Sequence, residues 1–390
     1  MFSQDFFNNP YPTYQFLREH QPAVFVEAIG AWVVSRYEDV AFVLKDRRFS
    51  SVAPLVTGAV SRETVPHLYL IQDNILTQLD PPSHTRLRGL VHKAFTPRTI
   101  ERLRQDIYNI ANRLLDDAEK QGGLEIKEHF SYPLPLQVIL EMIGVPLEDR
   151  NRVKEWNIDI ALTLNPLATE AERVIADTAE AAQIAYLKTL IDQRRRQPQD
   201  DLLTALVEAE EQGDKLTLDE VIATCALLIF AGHETTTNLI SNGLLALFRN
   251  PDQMKLLQEN PALLRTGVEE MLRYDSPVQM LLRTATEDVE IAGQLIPAGQ
   301  QLIPLMGAAN YDPAIFANPY QLDIARQENP HLSLGVGIHY CMGAPLARME
   351  ASIAFELLLK RFPKMKLITQ SPQYLPSLTL RQVQALEVEF

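Results

Sequence analysis

The chain of 390 residues carries 36 Lys and Arg against 50 Asp and Glu, so its formal net charge is −14, and 46% of its residues are apolar. This is the composition of a globular protein, and the length suffices for one large domain or two ordinary ones. The negative charge argues against nucleic acid as the main partner, because phosphate groups would repel the protein. The two cysteines, Cys225 and Cys341, exclude a disulfide framework and any four-cysteine metal site.

The sequence contains no signal for a membrane span or for secretion. The apolar run Cys225–Ala231 is far shorter than the roughly 20 residues that a bilayer span needs. The N-terminal residues Met1–Phe6 contain neither a basic region nor a long apolar one. We therefore expect a protein of the reducing cytoplasm.

The N-terminal part of the chain mixes short strands with helices. Two apolar runs, Ala23–Val26 and Ala31–Val34, flank a glycine and predict a β-hairpin, and Tyr37–Leu44 predicts a helix. The stretch from Ser51 to Pro82 holds four prolines, among them Pro54, and no clear periodicity, so it predicts a long lid or binding loop. Helical periodicity then dominates to about residue 249.

Short strands return in the C-terminal part. They are predicted at Leu281–Thr284, Val289–Ala292, Gln301–Pro304 and Ser377–Phe390. No internal repeat and no linker interrupts the pattern. We therefore predict a mainly α fold with small β-sheets, in which residues 1–390 form a single domain.

One helix is unusually long. Thr217 and Glu220 form a capping box at its start, and Asn250 followed by a proline closes it. The span between them is about 33 residues, or roughly 50 Å at 1.5 Å per residue. Because its middle, Cys225–Ala231, is apolar on every face, the helix is predicted to be buried.

Polar residues follow directly after this apolar run, from Gly232 to Asn238. Small residues let a neighbour approach the backbone, threonines can bond back to the helix, and a carboxylate such as Glu234 could relay protons. The alternative is a helix–helix crossing with the hydroxyls satisfied inside the helix. The residues alone leave both interpretations open.

A second pattern is the pair Glu270 and Arg273, which face each other at i, i+3 on a predicted helix. Most such pairs lie on the surface and contribute little to stability. Taken alone, the spacing favours a solvated surface pair.

The third pattern surrounds the second cysteine, from His331 to Arg348. Glycines flank Cys341 just before a helix predicted from Ala344 to about Phe362. A thiolate at a helix N-terminus is favoured by the helix dipole, and glycines let the backbone approach a large flat ligand. One protein thiolate without a second Cys or His set suits haem iron better than zinc or an iron–sulfur cluster.

These segments together resemble a cytochrome P450 of the soluble bacterial type, over nearly the whole chain. The family's cysteine loop reads Phe-x-x-Gly-x-His/Arg-x-Cys-x-Gly, and its positions are occupied here by Leu334, Gly337, His339, Cys341 and Gly343, with Gly335 between them. Leu334 stands where the family usually has an aromatic residue. We expect this difference to alter packing beneath the haem and to leave the ligand intact.

The resemblance implies roles for residues elsewhere in the chain. The family's oxygen-groove motif matches Ala231, Gly232, Glu234 and Thr235, and its structural Glu-x-x-Arg pair matches Glu270 and Arg273. The family's haem-propionate ligands match His84, Arg88 and Arg283, with His339 as a further donor. The two propionate carboxylates of a buried haem need such cationic partners.

The resemblance further implies a haem-thiolate monooxygenase with a long central helix over a buried haem b and Cys341 as the iron ligand. One oxygen atom of O2 would enter a C–H or C=C bond, with Thr235 bonding the distal oxygen and Glu234 bringing protons through water. We expect a monomer without a fused reductase, fed by a separate ferredoxin and its reductase. A basic segment, Arg86–Arg104, is the expected docking face.

Family position suggests a lipophilic substrate such as a terpenoid, steroid, polyketide or fatty acid, because the expected pocket residues are apolar. They are Leu76, Leu227, Phe230, Val278, Met280, Leu281 and Leu378. Three other functions remain open: a peroxide-driven peroxygenase, a non-catalytic haem sensor, and a cofactor-free α-helical interaction protein.

Overall fold

The computed structural model describes residues 3–52, 60–92, 95–164, 168–211 and 216–390. The chain divides into two compact units. Unit 1 comprises Met1–Ser50, Arg104–Pro135 and Glu234–Phe390, and unit 2 comprises Ser51–Leu103 and Leu136–His233. The fold is mainly α, as the sequence predicts, and every β-sheet among the described residues belongs to unit 1.

The α-helices follow one another along the whole chain, and most are longer than two turns. In chain order they are α1 (Gln4–Asn8), α2 (Tyr11–His20), α3 (Tyr37–Lys45), α4 (Pro66–Asn74), α5 (Ser83–His92), α6 (Pro97–Arg102), α7 (Arg104–Gln121), α8 (Pro133–Ile143), α9 (Arg150–Ile160), α10 (Glu170–Arg196), α11 (Leu202–Glu211), α12 (Leu218–Arg249), α13 (Pro251–Glu259), α14 (Leu264–Tyr274), α15 (Met306–Ala309) and α16 (Ala344–Arg361).

The strands are short and form three sheets. They are β1 (Ala23–Val26), β2 (Ala31–Val34), β3 (Phe49–Ser50), β4 (Gly123–Glu125), β5 (Arg283–Ala285), β6 (Val289–Ile291), β7 (Gln294–Ile296), β8 (Gln301–Pro304), β9 (Lys366–Leu367) and β10 (Glu387–Glu389). The largest sheet has the order β1-β2-β8-β5-β3, the second β4-β10-β9, and the third is the hairpin β6-β7.

The largest sheet joins distant parts of the chain. The predicted hairpin is confirmed as β1 and β2, antiparallel with Ala23 opposite Val34. β2 then pairs in parallel with β8, with Trp32 opposite Leu302, and β8 pairs antiparallel with β5. Val34 and Leu302 pack in one buried cluster with Val40 of α3, so α3 is fixed against this sheet.

The prediction of the C-terminal strands is partly wrong. β8 matches the predicted range, and β5 and β6 differ from theirs by one or two residues. In Ser377–Phe390, however, only β10 is a strand, and the rest pairs through isolated bridges such as Tyr374 with Val383. Isolated bridges impose no alternation of apolar and polar residues on the sequence. Hydrophobic periodicity therefore cannot distinguish a segment that pairs through isolated bridges from a strand.

The prediction of an irregular loop from Ser51 to Pro82 is wrong for its second half, where α4 forms. Pro66 occupies the first turn of α4, a position where its missing N–H costs nothing. Val65 at the N-cap offers no side-chain acceptor. Instead, Asp177 of α10, 110 positions along the chain, accepts from the backbone N–H groups of His67 at 2.8 Å and Leu68 at 2.9 Å. Pro54 lies outside the described residues.

The long helix is confirmed as α12, with 32 residues. The capping box is present: Glu220 N–H donates to Thr217 Oγ1 at 3.2 Å, and Thr217 N–H donates to Glu220 Oε2 at 2.9 Å. Ile229, near its middle, is fully buried. α12 is nevertheless not a membrane span, since no described helix has both the length and the hydropathy for one.

Glu270 and Arg273 of α14 are fully buried, so the surface interpretation of their spacing is wrong. Arg273 donates from Nε and Nη2 to the two oxygens of Glu270, both at 2.8 Å. The same carboxylate accepts from Arg326 Nε at 3.0 Å, Asn329 Nδ2 at 3.1 Å and Asp323 N–H at 3.0 Å. The pair therefore holds the chain from residue 323 to 329 against α14.

Glu270→Gln is expected to destabilise the protein strongly, because it leaves two guanidinium groups without their carboxylate. Breaking a buried ion pair by removing one partner costs about 3–5 kcal/mol. The control is Glu259→Gln, at an exposed pair with Lys255 at 3.7 Å, which should stay within about 0.5 kcal/mol of the parent. Urea unfolding followed by far-ultraviolet circular dichroism measures both. Equal unfolding free energies in the two variants would contradict the structural role.

Candidate active site

Cys341 lies in unit 1, three residues before α16 begins, in a loop closed by backbone hydrogen bonds. Its N–H donates to the carbonyl of Leu334 at 2.9 Å, and Gly335 N–H donates to the carbonyl of Leu332 at 2.8 Å. The Cys341 side chain is only partly buried. The loop therefore presents a sulfur atom at a helix N-terminus, where the thiolate form is favoured.

Gly337 fits this loop tightly against α3. Its φ is +78°, which other residues rarely adopt. A Cβ at this position would lie 3.2 Å from the carbonyl oxygen of Leu44 and 3.3 Å from Cα of Lys45. A side chain here would therefore push the loop away from α3, which is itself fixed on the largest sheet.

A second support of the loop was not found from the sequence. Arg348 of α16 donates to both oxygens of Glu269, at 2.6 and 2.8 Å, and His331 Nε2 lies 3.1 Å from the same carboxylate. Burial raises the pKa of Glu269, but the bonds from Arg348 and His331 outweigh burial and lower the pKa to about 2. Arg348 also donates to Tyr340 Oη at 3.1 Å. Arg348, at the end of the cysteine motif, was visible in the sequence, but its partner Glu269 was not.

The other cysteine differs in its environment. Cys225 lies inside α12 and is fully buried. Burial raises the pKa of the Cys225 thiol to about 12. A thiol that stays protonated is a poor metal ligand, so Cys341 is the better candidate for a thiolate ligand.

Arg283 and His339 also belong to unit 1. Arg283, on β5, is 5% exposed and donates to its neighbouring carbonyl at Leu282 at 2.8 Å. His339 ends a 3₁₀ turn that begins at Gly337. These two residues could supply positive charge to an anionic group beside the Cys341 loop.

The expected pocket residues of unit 1 come from two segments that pair with each other. Gln279 N–H donates to the carbonyl of Thr379 at 2.8 Å, and Val278 forms an antiparallel bridge with Leu380. Val278 and Leu281 are partly exposed, whereas Met280 and Leu378 are buried at 8% and 9% exposure. The structure therefore places Met280 and Leu378, about 100 positions apart in the sequence, in one apolar cluster, whereas Val278 and Leu281 pack against another.

One face of α12 stays accessible in the middle of an otherwise buried helix. Leu227, Phe230 and Thr235 are partly exposed and Ala231 is exposed, at spacings of three to five residues. Gly232 belongs to another side, where a Cβ would lie 2.9 Å from Cγ1 of Ile139 on α8. Gly232 therefore serves a helix–helix contact, while Ala231 and Thr235 stay accessible, and a proton relay through Glu234 stays a prediction.

Glu234, one turn after Phe230, is 7% exposed. Gln382 Nε2 donates to its Oε2 atom at 2.9 Å. Lys127 and Tyr132 of the same unit interact with it electrostatically. None of these three neighbours was found from the sequence, because they lie far from Glu234 along the chain and in no motif.

Unit 2 contains the remaining candidates. His84, in α5, is buried, and burial followed by the nearby Arg88 lowers its pKa. Leu76 lies in a 3₁₀ turn that precedes α5 and is buried. Leu227, Phe230, Ala231 and Gly232 belong to the part of α12 that is in this unit.

The two units thus divide the predicted site residues. Unit 1 holds Glu234, Thr235, Glu270, Arg273, Val278, Met280, Leu281, Arg283, Leu334, Gly335, His339, Cys341, Gly343 and Leu378, and unit 2 holds Leu76, His84, Arg88, Leu227, Phe230, Ala231 and Gly232.

Comparisons with known proteins agree over the whole length. The family model of cytochrome P450 matches residues 14–377. The chain is 41% identical to the biotin biosynthesis cytochrome P450 of Bacillus subtilis (strain 168), covering 100% of this chain and 98% of that protein. It is 40% identical to the polyketide biosynthesis cytochrome P450 PksS of the same strain, covering 99% and 96%. The crystal structure of P450BioI in complex with hexadec-9Z-enoic acid ligated acyl carrier protein matches with a TM-score of 0.94 and 41% identity, over 100% of both chains.

The fold, with its mainly helical make-up, small sheets and long helix, agrees with these neighbours. A family match of this extent, together with relatives near 40% identity, also carries the reaction class and the cofactor, because members bind haem b through a cysteine thiolate. The chain therefore belongs to the cytochrome P450 family and is a monooxygenase whose cofactor is haem b.

Proposed function

We propose that this monooxygenase uses O2 and inserts one oxygen atom into a C–H or C=C bond of a lipophilic small molecule. The observation that carries the proposal is the acid–alcohol pair in the middle of α12. Glu234 is buried there, and Thr235 lies on the face of the helix that stays accessible. A buried carboxylate next to an accessible hydroxyl can pass protons to a reacting oxygen while the rest of the helix excludes water.

Cys341 is proposed as the residue that would bind the haem iron through its thiolate, and the residues around it fit this role. The sulfur is partly exposed at the start of α16, and the other cysteine is deeply buried with a raised pKa. When bound, the haem supplies the activation of dioxygen, which a thiolate ligand promotes by donating electron density. The protein's contribution is to hold the thiolate still, through the Leu334 carbonyl and the support from Glu269 and Arg348.

The haem propionates are proposed to bind His84, Arg88, Arg283 and His339. Arg283 is 5% exposed, and a buried guanidinium favours an anionic ligand. His84 is 1% exposed with a lowered pKa, and its neutral imidazole can still donate one N–H hydrogen bond. Arg88 is partly buried one helical turn after His84. Charge-assisted hydrogen bonds to a carboxylate are the interaction that these side chains make best. Leu334, Gly335, Gly343, Ala231 and Gly232 are proposed as the remaining neighbours of the haem.

Glu234 and Thr235 are proposed to deliver protons together, each in a different role. The Thr235 hydroxyl would donate a hydrogen bond to the reacting oxygen, and Glu234 would hold the proton that follows through water. Peroxide carries both of its protons with it, whereas the dioxygen reaction must draw two protons from solvent and so depends more on a relay of this kind. The pair therefore favours the dioxygen reaction over the peroxide reaction and over a non-catalytic sensor.

The substrate is proposed to be a fatty-acid-like or polyketide-like molecule. Its proposed contacts are the apolar side chains Val278, Met280, Leu281 and Leu378 in unit 1 and Leu76, Leu227 and Phe230 in unit 2. Such walls suit lipophilic compounds. The biotin and polyketide relatives, and the acyl chain in the complex of P450BioI, support this class.

A ferredoxin-type protein is proposed as the electron donor, docking at α6 in unit 2. Arg98 and Arg102 of α6 are exposed, and they provide local positive charge in a chain of −14. Arg86 contributes less than the sequence suggested, because it forms an ion pair with the buried Glu220 at α12. Lys93, also counted in the basic segment, lies outside the described residues.

The enzyme is proposed to work as a single cytoplasmic haem domain and as a monomer. The family match from residue 14 to 377 supports one domain of this type. A total of two cysteines supports a reducing compartment, where disulfides are not used for stability.

Cys341→His should abolish the long-wavelength Soret band of the ferrous carbon monoxide complex, because that band requires a thiolate opposite the carbon monoxide. Cys225→Ala should keep it, because Cys225 is buried in the interior of unit 2. The absorption spectrum of the reduced, carbon monoxide-saturated protein tests both. Survival of the band in Cys341→His would show that the ligand is assigned wrongly.

Thr235→Ala should still bind substrate and consume reductant, but release several-fold more peroxide per product formed. Without the hydroxyl, proton delivery would lose its direction, so more of the reduced oxygen would be released as peroxide instead of entering the product. Peroxide and reductant are measured together in one turnover assay. Thr189→Ala, at an exposed threonine that bonds within α10 at 3.1 Å, is the matched control. Unchanged coupling in Thr235→Ala and in Glu234→Gln would reject the proton role of the pair.

Arg98→Glu and Arg102→Glu should slow the first electron transfer from an acidic ferredoxin. Charged residues at the rim of an interface mainly set the rate at which the two proteins associate. Salt screens their attraction, since the Debye length falls from about 10 Å at 0.1 M to about 3 Å at 1 M. Stopped-flow reduction at low and high ionic strength measures the effect. The carbon monoxide spectrum and substrate affinity should stay unchanged. Rates that respond neither to salt nor to the two reversals would place docking elsewhere.

A further inference from the structure

The side-chain amide of Gln382 reaches Glu234 from outside the helix that carries this acid. The Nε2 atom of Gln382 lies 2.9 Å from Oε2 of Glu234. Gln382 belongs to the C-terminal segment of unit 1 and matches no motif of the chain. This contact places Gln382 next to the carboxylate that is proposed to deliver protons.

The backbone of Gln382 is fixed, so its amide is aimed at the carboxylate. Leu375 N–H donates to the carbonyl of Gln382 at 2.9 Å, and Tyr374 forms a bridge with Val383. On the preceding residue, the carbonyl of Arg381 accepts from Asn242 Nδ2 of α12 at 2.9 Å. Asn242 follows Glu234 by about two helical turns, so α12 itself holds the segment from which the amide reaches back.

The Arg381 side chain anchors the same segment on its other side. It is 5% exposed and forms an ion pair with Asp275. It also donates to the carbonyls of Phe7 at 2.7 Å and Asn8 at 3.1 Å. A segment held this firmly restricts the rotation of the adjacent glutamine.

Glu234 also affects the pKa of two titratable groups of unit 1, Lys127 and Tyr132. Lys127 stands on the π-helical turn Lys127–Ser131 and is partly buried. Burial lowers the pKa of Lys127, and Glu234 followed by Glu125 opposes that change. Burial also raises the pKa of Tyr132, and Glu234 adds to it. The titratable groups facing Glu234 among the described residues of unit 1 are thus Lys127 and Tyr132, with Glu125 beside Lys127.

The neighbours of Glu234 differ from those of the other buried acid, Glu270. Glu270 accepts from Arg273 and Arg326, two guanidinium groups that stay charged. Glu234 instead accepts from a neutral amide, which fixes the orientation of the carboxylate without adding a charge.

We propose that Gln382 is a positioning residue of the monooxygenase, and that its side-chain amide orients the carboxylate of Glu234. The inference rests on the proposed role of Glu234 in proton delivery and adds a residue that no motif contains. Gln382 is not a catalytic residue, since it acts through Glu234.

The test is infrared difference spectroscopy of the ferric, haem-loaded protein during a pH titration, which reads the Glu234 carboxyl group without turnover. The band of Glu234 is identified by its loss in Glu234→Gln. Gln382→Met, which keeps the side-chain length and removes the donor, should shift this band. Gln384→Met, at an exposed glutamine two residues further on, should not.

An unchanged carbon monoxide spectrum shows that each variant is folded. A Glu234 band that does not shift in Gln382→Met overturns the orienting role.

Turnover separates this inference from the function on which it rests. With hexadec-9Z-enoic acid as probe, Gln382→Met should release more peroxide per reductant consumed than Gln384→Met. If the band shifts but Glu234→Gln leaves coupling unchanged, the contact is real and the proton role of Glu234 fails. If Glu234→Gln uncouples the reaction while Gln382→Met has neither effect, the proton role stands and the positioning role is wrong.

Discussion

The hydrogen bond from Cys341 N–H to the Leu334 carbonyl is the contact on which the candidate site depends, because it sets where the sulfur stands relative to α16. Two consecutive residues of α14 hold the chain on both flanks of this loop. Glu270 fastens the approach to the loop through Arg326 and Asn329, and Glu269 fastens its beginning at His331 and its exit at Arg348. One buried helix thereby fixes the loop at both ends, so the position of the Cys341 sulfur does not depend on the loop alone.

α12 meets two requirements that conflict in an ordinary buried helix. A long helix in a protein interior is stabilised by apolar side chains, whereas proton transfer needs polar ones. The chain separates the two by position along the helix: Cys225 to Ile229 is apolar, and the polar residues begin at His233. Each polar residue then needs a partner, because an unpaired buried polar group is costly. The segments that provide partners for Glu234 and Asn242 come from the C-terminal end of the chain.

Features set by local chemistry could be predicted from the sequence, and features set by distant contacts could not. The ends of α12 follow from a capping box and a proline, and the hairpin of β1 and β2 follows from two apolar runs around a glycine. α4 escaped prediction because Asp177, on α10, supplies its cap. In the site, Cys341 was found from its glycines and its helix, whereas Gln382 was not, since a single glutamine carries no pattern. The burial of Glu270 also needed tertiary partners that its spacing with Arg273 does not reveal.

The leucine at position 334 shows how the site tolerates a change from the family's pattern. The contact that closes the loop uses the carbonyl oxygen of Leu334, which any residue could provide, and not its side chain. The close fit of the loop to α3 depends on Gly337, where the family residue is retained. A leucine in place of an aromatic residue therefore changes the surface beneath the proposed haem and keeps the backbone that presents the sulfur. The side chain is then free to adjust packing, while position 337 is restricted to glycine by its backbone angle and by its distance from Leu44.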